Sequence, residues 1–322
     1  VQSTGKQLFE RQADTGKKIA VVGAGPAGMA CAHQLSMLGN SVTVFEDKNK
    51  AGGLNEYGIA AYKTVDDFAQ KEIQYIMDLG GIEIKTGMAL GRDLTLGNLQ
   101  KDFDAVFLAV GLAGVRALDL ENECADGIQD AVDYISVLRQ SDDLKNLSVG
   151  DNVVVIGGGM TAIDIAVQSK RLGAKRVAII YRRGPDEMGA SDVERKFAQT
   201  NGVDIHFWSK ISQIVTNNNA VSEIVIEETK LAEGELKGTG KMHTMQTDSL
   251  FKAVGQLLDN EVDGINQLQC DRAKIVVDIN RRTSSEGVWA GGDCIDNGYD
   301  LVVAAVEDGK IAARDIHQSI NG

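Results

Sequence analysis

Two short glycine-rich stretches hold the residues best suited to chemistry in this chain. The first, Gly23-Ala24-Gly25-Pro26-Ala27-Gly28, follows the apolar run Ile19-Ala20-Val21-Val22; the second, Gly157-Gly158-Gly159-Met160-Thr161-Ala162, follows Val153-Val154-Val155-Ile156. Each should turn an apolar strand sharply into a helix. The first glycine permits the turn, the second leaves room for a pyrophosphate against the backbone, and a small third residue (Gly28 or Ala162) lets helix and strand pack closely. The helix start then offers unpaired N–H groups and a positive dipole end to phosphate. The helices are expected over residues 29–38, closing on Gly39, and 161–172, closing on Gly173. One such stretch alone can be a plain turn. Two, each in a strand–loop–helix setting, point to two bound dinucleotides.

The second strand of each unit separates the two ligands. After the first loop it is Ser41-Val42-Thr43-Val44-Phe45-Glu46. An acid at that strand end accepts hydrogen bonds from the ribose hydroxyls of an unphosphorylated adenosine and repels a 2′-phosphate, so Glu46 suits FAD or NAD. After the second loop it is Arg176-Val177-Ala178-Ile179-Ile180-Tyr181-Arg182-Arg183, with two guanidiniums where an acid would stand. Guanidinium forks match phosphate geometry, so this site leans toward NADPH; arginines that are solvated or stacked on adenine would leave NADH acceptable.

The elements that must position these loops form an α/β pattern. Residues 64–79 should be a helix, with Thr64 as its cap, Asp66 and Asp67 in its first turn, and Val65, Phe68, Ile73, Ile76 and Met77 on its apolar face. Residues 82–85 form a short strand, and Asp104-Ala105-Val106-Phe107-Leu108-Ala109-Val110-Gly111 an apolar one. The latter has a near-copy in Asp248-Ser249-Leu250-Phe251-Lys252-Ala253-Val254-Gly255, as an internal duplication would produce. Residues 113–150 read as a connector with a helix near 129–140, and residues 211–246 as a structural antiparallel meander. Gly287-Val288-Trp289-Ala290-Gly291-Gly292-Asp293 is a strand ending in Gly-Gly-Asp, followed by a helix over 301–320 that should pack back on the first unit.

With 322 residues the chain can build two cores. A net charge of −13 without a basic cluster argues against nucleic acid and anionic membranes as partners. No apolar run is long enough to span a membrane, and the polar first residues carry no secretory signal. Absence of an initial Met is what a fragment would show. The four cysteines (Cys31, Cys124, Cys270, Cys294) include no C-x-x-C and no cluster spacing. The chain itself is therefore expected to hold neither an iron–sulfur cluster nor a dithiol pair, and no metal; scattered thiols fit a cytoplasmic setting. Cys31 reads as a small core residue, and Cys294 as a small spacer rather than a redox group.

Together these residues resemble the flavoprotein disulfide reductase fold, over essentially the whole chain from Lys17. Ala51-Gly52-Gly53-Leu54-Asn55-Glu56-Tyr57-Gly58-Ile59, Gly157-Gly158-Gly159-Met160-Thr161-Ala162-Ile163-Asp164 and Tyr181-Arg182-Arg183-Gly184 narrow the resemblance. They are similar to the FAD/NAD(P)H module of the glutamate synthase small subunit and dihydropyrimidine dehydrogenase flavin subunit family, the latter branch most of all. The resemblance implies two Rossmann-like dinucleotide-binding domains, the second inserted in the first. Residues 1–16 would be a linker tail, 17–112 and 263–322 the two parts of an FAD domain, 113–150 the connector and 151–262 an NAD(P)H domain.

It also implies site residues: Gly23, Ala24, Gly25, Pro26, Ala27 and Gly28 on the FAD pyrophosphate, Glu46 on its ribose, and Gly53, Leu54 and Lys63 on the flavin side. Gly292 and Asp293 would hold the ribityl or pyrophosphate region, with Leu301 and Val302 facing the ring. Gly158, Gly159, Met160 and Thr161 would hold the nicotinamide dinucleotide's phosphates, Arg182 and Arg183 its adenosine ribose, and Ala253, Val254 and Gly255 would lie nearby. Hydride moves between cofactors, so no side chain is assigned a catalytic role. The implied activity is that of an FAD-dependent NAD(P)H oxidoreductase handing electrons to an iron–sulfur domain and a larger catalytic subunit. Family members carry that cysteine-rich domain N-terminally, and it is absent from this sequence. The alternative is a dinucleotide-binding scaffold or redox sensor without turnover.

Overall fold

A computed structural model describes residues 7–259, 262, 264–296 and 300–322. The chain divides into two compact units, one of residues 1–56, 64–113 and 257–322, the other of 57–63 and 114–256. The expected boundary at 262/263 and the first six residues of the expected linker tail fall on or beside positions outside the described residues.

In the first unit, five parallel strands run in the order Val288–Ala290, Ala105–Leu108, Lys18–Val22, Ser41–Glu46, Ile82–Thr86. The central strand is buried on both faces. Ile19 and Val21 join the core beneath the helices Pro26–Met37 and Val302–Asn321, while Ala20 and Val22 join a second core with Leu96, Leu99, Leu268 and Ile275. Strand order reverses on either side of Lys18–Val22, and in such sheets ligands bind at the carboxyl ends where the order switches.

The second unit repeats this plan: Ile128–Asp130, Ser249–Ala253, Asn152–Gly157, Arg176–Ile180, Val203–His206, all parallel. Val153 and Val155 face the helices Ala131–Gln140 and Met160–Arg171. Val154 and Ile156 instead face the antiparallel meander Ser209–Asn217, Ala220–Ala232, Glu235–Gln246, through Ile214, Ile224 and Ile226.

Three expectations are corrected. The helix expected over 64–79 spans Phe68–Met77, because Asp66 and Asp67 take left-handed backbone (φ 58° and 53°) that no helix continues. Its N-cap is Asp67 rather than Thr64, and Val65 and Phe68, assigned to the apolar face, are exposed. The glycine-loop helices start earlier than expected, at Pro26 and Met160; in the first, proline suits a first helical turn. The stretch 113–150 is more than a connector, supplying an edge strand and a core helix to the second unit. The described part of the expected linker tail packs on the first unit: Gln12 N–H donates to Met37 O, Thr15 N–H to Gly39 O, and Phe9 meets the His33 ring edge-on.

Candidate dinucleotide sites

In the first unit, the turn out of Lys18–Val22 is one only glycine fits. Gly23 has φ +103°, and a β-carbon there would lie 2.2 Å from Ala109 O; one at Gly28 would lie 1.9 Å from Gly23 O. The loop is tied to the next strand by Glu46, whose carboxylate accepts from Ala24 N–H at 2.7 Å and Lys48 N–H at 2.8 Å. Burial raises the Glu46 pKa above the usual range, against the opposing pull of those two N–H groups. Gly53 (φ +53°) presses on the loop from outside, where a β-carbon would come within 2.6 Å of Gly25 Cα, and Gly52 N–H donates to Ala24 O. Leu54 opens a short helical turn and is exposed. The helix Pro26–Met37 starts at Gly25 with no side chain capping it.

The Gly291-Gly292-Asp293 turn comes after Val288–Ala290, and Gly291 N–H donates to Leu108 O. Asp293 is half-buried, and its pKa is raised by burial and then by the charge of Asp300. Leu301 and Val302 begin the last helix, both exposed and again without a side-chain cap. Cys294 is buried with its Sγ against Gly291 O and Leu108 O, and burial pushes its thiol pKa up to about 12, which holds it in the unreactive thiol form.

The second unit reproduces the turn. Gly157 has φ +144°, and its β-carbon would lie 2.2 Å from Ala253 O, the counterpart of Ala109 O. A β-carbon at Gly158 would strike the Tyr181 ring at 2.4 Å, whereas one at Gly159 would meet nothing within 4 Å. Gly159 is the N-cap of Met160–Arg171 and no side chain caps it; Met160 is exposed, Thr161 half-buried and Ala162 buried. Ala253 ends its strand opposite Gly157, and the chain leaves through Val254 and Gly255 (φ +95°).

Arg182 and Arg183 lie just past the strand, which ends at Ile180 rather than reaching them. Their carbonyls are pinned by Thr229 Oγ1–H and Trp208 N–H, and their exposed guanidiniums pair with no carboxylate among the described residues. Each unit therefore presents uncapped helix N–H groups behind a glycine turn, at the switch point of its own sheet. That is the donor set a pyrophosphate needs.

Lys63 belongs to the second unit. It sits 2.7 Å from Asp164 and 3.1 Å from Glu194. Burial works against its cation, but hydrogen bonds and charge from these two carboxylates prevail and raise its pKa. Asp164 also accepts from Tyr62 O–H and Ala60 N–H. The glycine-loop and strand-end motifs do not point to this hub. Its one sequence signal is an acid within the apolar start of a helix, between Ile163 and Ile165, where a buried charge must find partners.

Fold and loops together define a dinucleotide-handling α/β protein. Residues 17–309 match the family described as pyridine nucleotide-disulphide oxidoreductase, and the chain belongs to that family. It is 35% identical over 321 residues to the glutamate synthase (NADPH) small chain of Escherichia coli K12, covering 93% of this chain and 68% of that one. It is 30% identical over 316 residues to the NAD-dependent dihydropyrimidine dehydrogenase subunit PreT of Salmonella typhimurium, covering 98% and 71%. The fold matches thioredoxin reductase of Lactococcus lactis with a TM-score of 0.74 at 20% identity, covering 94% of this chain and 99% of that one. Among the described residues, no helix is long and apolar enough to cross a membrane.

Proposed function

We propose that the protein is an FAD-dependent NAD(P)H oxidoreductase, with FAD in the first unit, NADPH in the second, and electrons passed on to an iron–sulfur domain and a larger catalytic subunit. The observation that carries this reading is the duplicated glycine turn with an uncapped helix start, completed by a carboxylate in one copy and two exposed guanidiniums in the other. When bound, the nicotinamide supplies a hydride and the flavin takes it up. The chain's own residues hold and orient. Residues 23–28 and the Pro26–Met37 helix start bind the FAD pyrophosphate, Glu46 takes its ribose hydroxyls, and Gly53, Leu54, Gly292, Asp293, Leu301 and Val302 border the remainder. Lys63 is left out of this set, because two carboxylates already engage it.

In the second unit Gly158, Gly159, Met160 and Thr161 receive the phosphates, Arg182 and Arg183 the 2′-phosphate, and residues 253–255 border the cofactor. The names of the two relatives include NADPH in one case and NAD in the other, so the arginine pair is what favours NADPH here. The preparation should be yellow. Heat release and mass determination should give FAD, and NADPH should bleach the visible band. FMN, or a colourless protein that binds nucleotide without reduction, would favour the scaffold reading.

Arg182→Ala with Arg183→Ala should erase the preference for NADPH over NADH. Each guanidinium–phosphate bond lost corresponds to about 1.5–3 kcal/mol. Stopped-flow bleaching with the two nucleotides at equal concentration measures the change. A preference unaltered by the double substitution would remove the phosphate clamp from the reading.

A further inference from the structure

Beneath the Gly291-Gly292-Asp293 turn lies a buried ion pair that makes no contact assigned to a ligand. Asp308, on the last helix, receives Arg281 Nε–H on Oδ1 at 2.8 Å and Gly292 N–H on Oδ2 at 3.0 Å. The two side chains are 17% and 3% exposed, arginine first. Arg281 holds left-handed backbone (φ +70°), which arginine adopts only when its surroundings enforce it. Here Ala290 N–H donates to Arg281 O, and Arg281 N–H donates to Asp278 O.

The next residue along the last helix, Gly309, touches the other half of the site. A β-carbon on Gly309 would lie 2.2 Å from Ala27 O, and one on Gly292 would lie 3.0 Å from Ala27 Cβ. Ala27 belongs to the first glycine loop and the first turn of its helix. One turn of the last helix therefore holds Gly292 by hydrogen bond and touches the phosphate-loop helix directly. A buried ion pair is often no more stabilising than an apolar replacement.

We propose that Arg281 and Asp308 are positioning residues for the flavin dinucleotide: their ion pair sets Gly292 and Asp293 against the start of the first helix so that both face one ligand. This rests on the reading of the first unit as an FAD site. The geometry divides the labour clearly. Asp308 fixes the direction of Gly292 N–H and hence the side on which Asp293 emerges. Arg281 brings a cation to the Asp308 carboxylate under the turn and fixes the direction of its Oδ1.

The test uses the full chain, stripped of flavin and titrated with FAD, and compares wild type with Arg281→Gln, Asp308→Asn and the double variant. Arg281→Gln takes the guanidinium away from Asp308 and leaves its hydrogen bond from Gly292 N–H in place. Its Kd for FAD should rise by about tenfold or more, and the visible band of the bound flavin should lose its fine structure. Asp308→Asn keeps an oxygen for Gly292 N–H but strands the guanidinium, and should weaken binding too. In the double variant two neutral amides can bridge the same gap, and most of the affinity and the band shape should return. A purely structural pair would lower the Tm of the flavin-free variants while Kd, band shape and rescue stayed flat, and that result overturns the proposal. If Arg281→Gln does not fold, Arg281→Lys, which keeps the charge without the planar fork, should still raise Kd by about threefold; an unchanged Kd there counts against the proposal equally. Failure of the wild type to take up FAD would instead overturn the underlying functional reading.

Discussion

Gly159→Asp is expected to abolish reduction by nicotinamide dinucleotides while leaving the fold intact. Gly159 has extended backbone (φ −91°, ψ −179°) that any residue adopts, and a β-carbon there meets nothing within 4 Å. Aspartate is also a favoured N-cap, so its carboxylate should accept the N–H groups at the start of Met160–Arg171 and hold or raise stability. Those are the donors assigned to the phosphates. The substitution occupies them and puts a negative charge where the pyrophosphate must lie. A like-charge contact at about 4 Å near a protein surface costs about 4 kcal/mol, close to a thousandfold in affinity. The measurement is flavin bleaching by NADPH in stopped flow, beside a thermal melt. Gly157→Ala is the contrast: with φ +144° and only 2.2 Å to Ala253 O, it should damage the unit itself. Rapid bleaching in folded Gly159→Asp would show that the phosphates lie elsewhere.

Asp164→Ala is expected to be the most destabilising single change at the second unit's charged hub. The 3%-exposed Asp164 carries Lys63, Tyr62 O–H and Ala60 N–H together. Burial, then the charge of Asp164 and its hydrogen bond, raise the Tyr62 pKa, so the phenol stays a donor across the working range. Removing one partner of a buried pair costs about 3–5 kcal/mol. The Lys63 side chain is 28% exposed and keeps Glu194, which places the expectation at the low end, about 3 kcal/mol. Tyr62→Phe, which deletes one donor and leaves the carboxylate its other partners, should cost about 1 kcal/mol. Denaturant melts with unchanged m-values would measure both. A loss below about 1 kcal/mol for Asp164→Ala would mean that water replaces the carboxylate and that the hub holds little.

Much of the candidate site is legible because its signals are local. The turn at Gly23 and its repeat at Gly157 are written into adjacent residues, as are the small third positions Gly28 and Ala162. Glu46 and Arg182 stand at or just past the ends of their strands, so strand period and loop chemistry suffice to place them. The start of the helix Phe68–Met77 differs from the apolar pattern for an equally local reason. Apolar spacing from Val65 onward fits a helix, but it cannot register that Asp66 and Asp67 turn left-handed.

By itself, the sequence determined two parallel α/β units, a glycine turn at the head of each, and opposite chemistry at the two second-strand ends. Burial period and backbone permissiveness are properties of neighbouring residues, and they decide these features. Only the tertiary structure decided that 113–150 completes the second sheet and that Lys63 answers to Asp164 and Glu194. It alone decided that Arg281 and Asp308 meet beneath Gly292. A buried charge announces that it needs a partner, but the partner's identity depends on where distant strands and helices close on one another, and no local pattern carries that information.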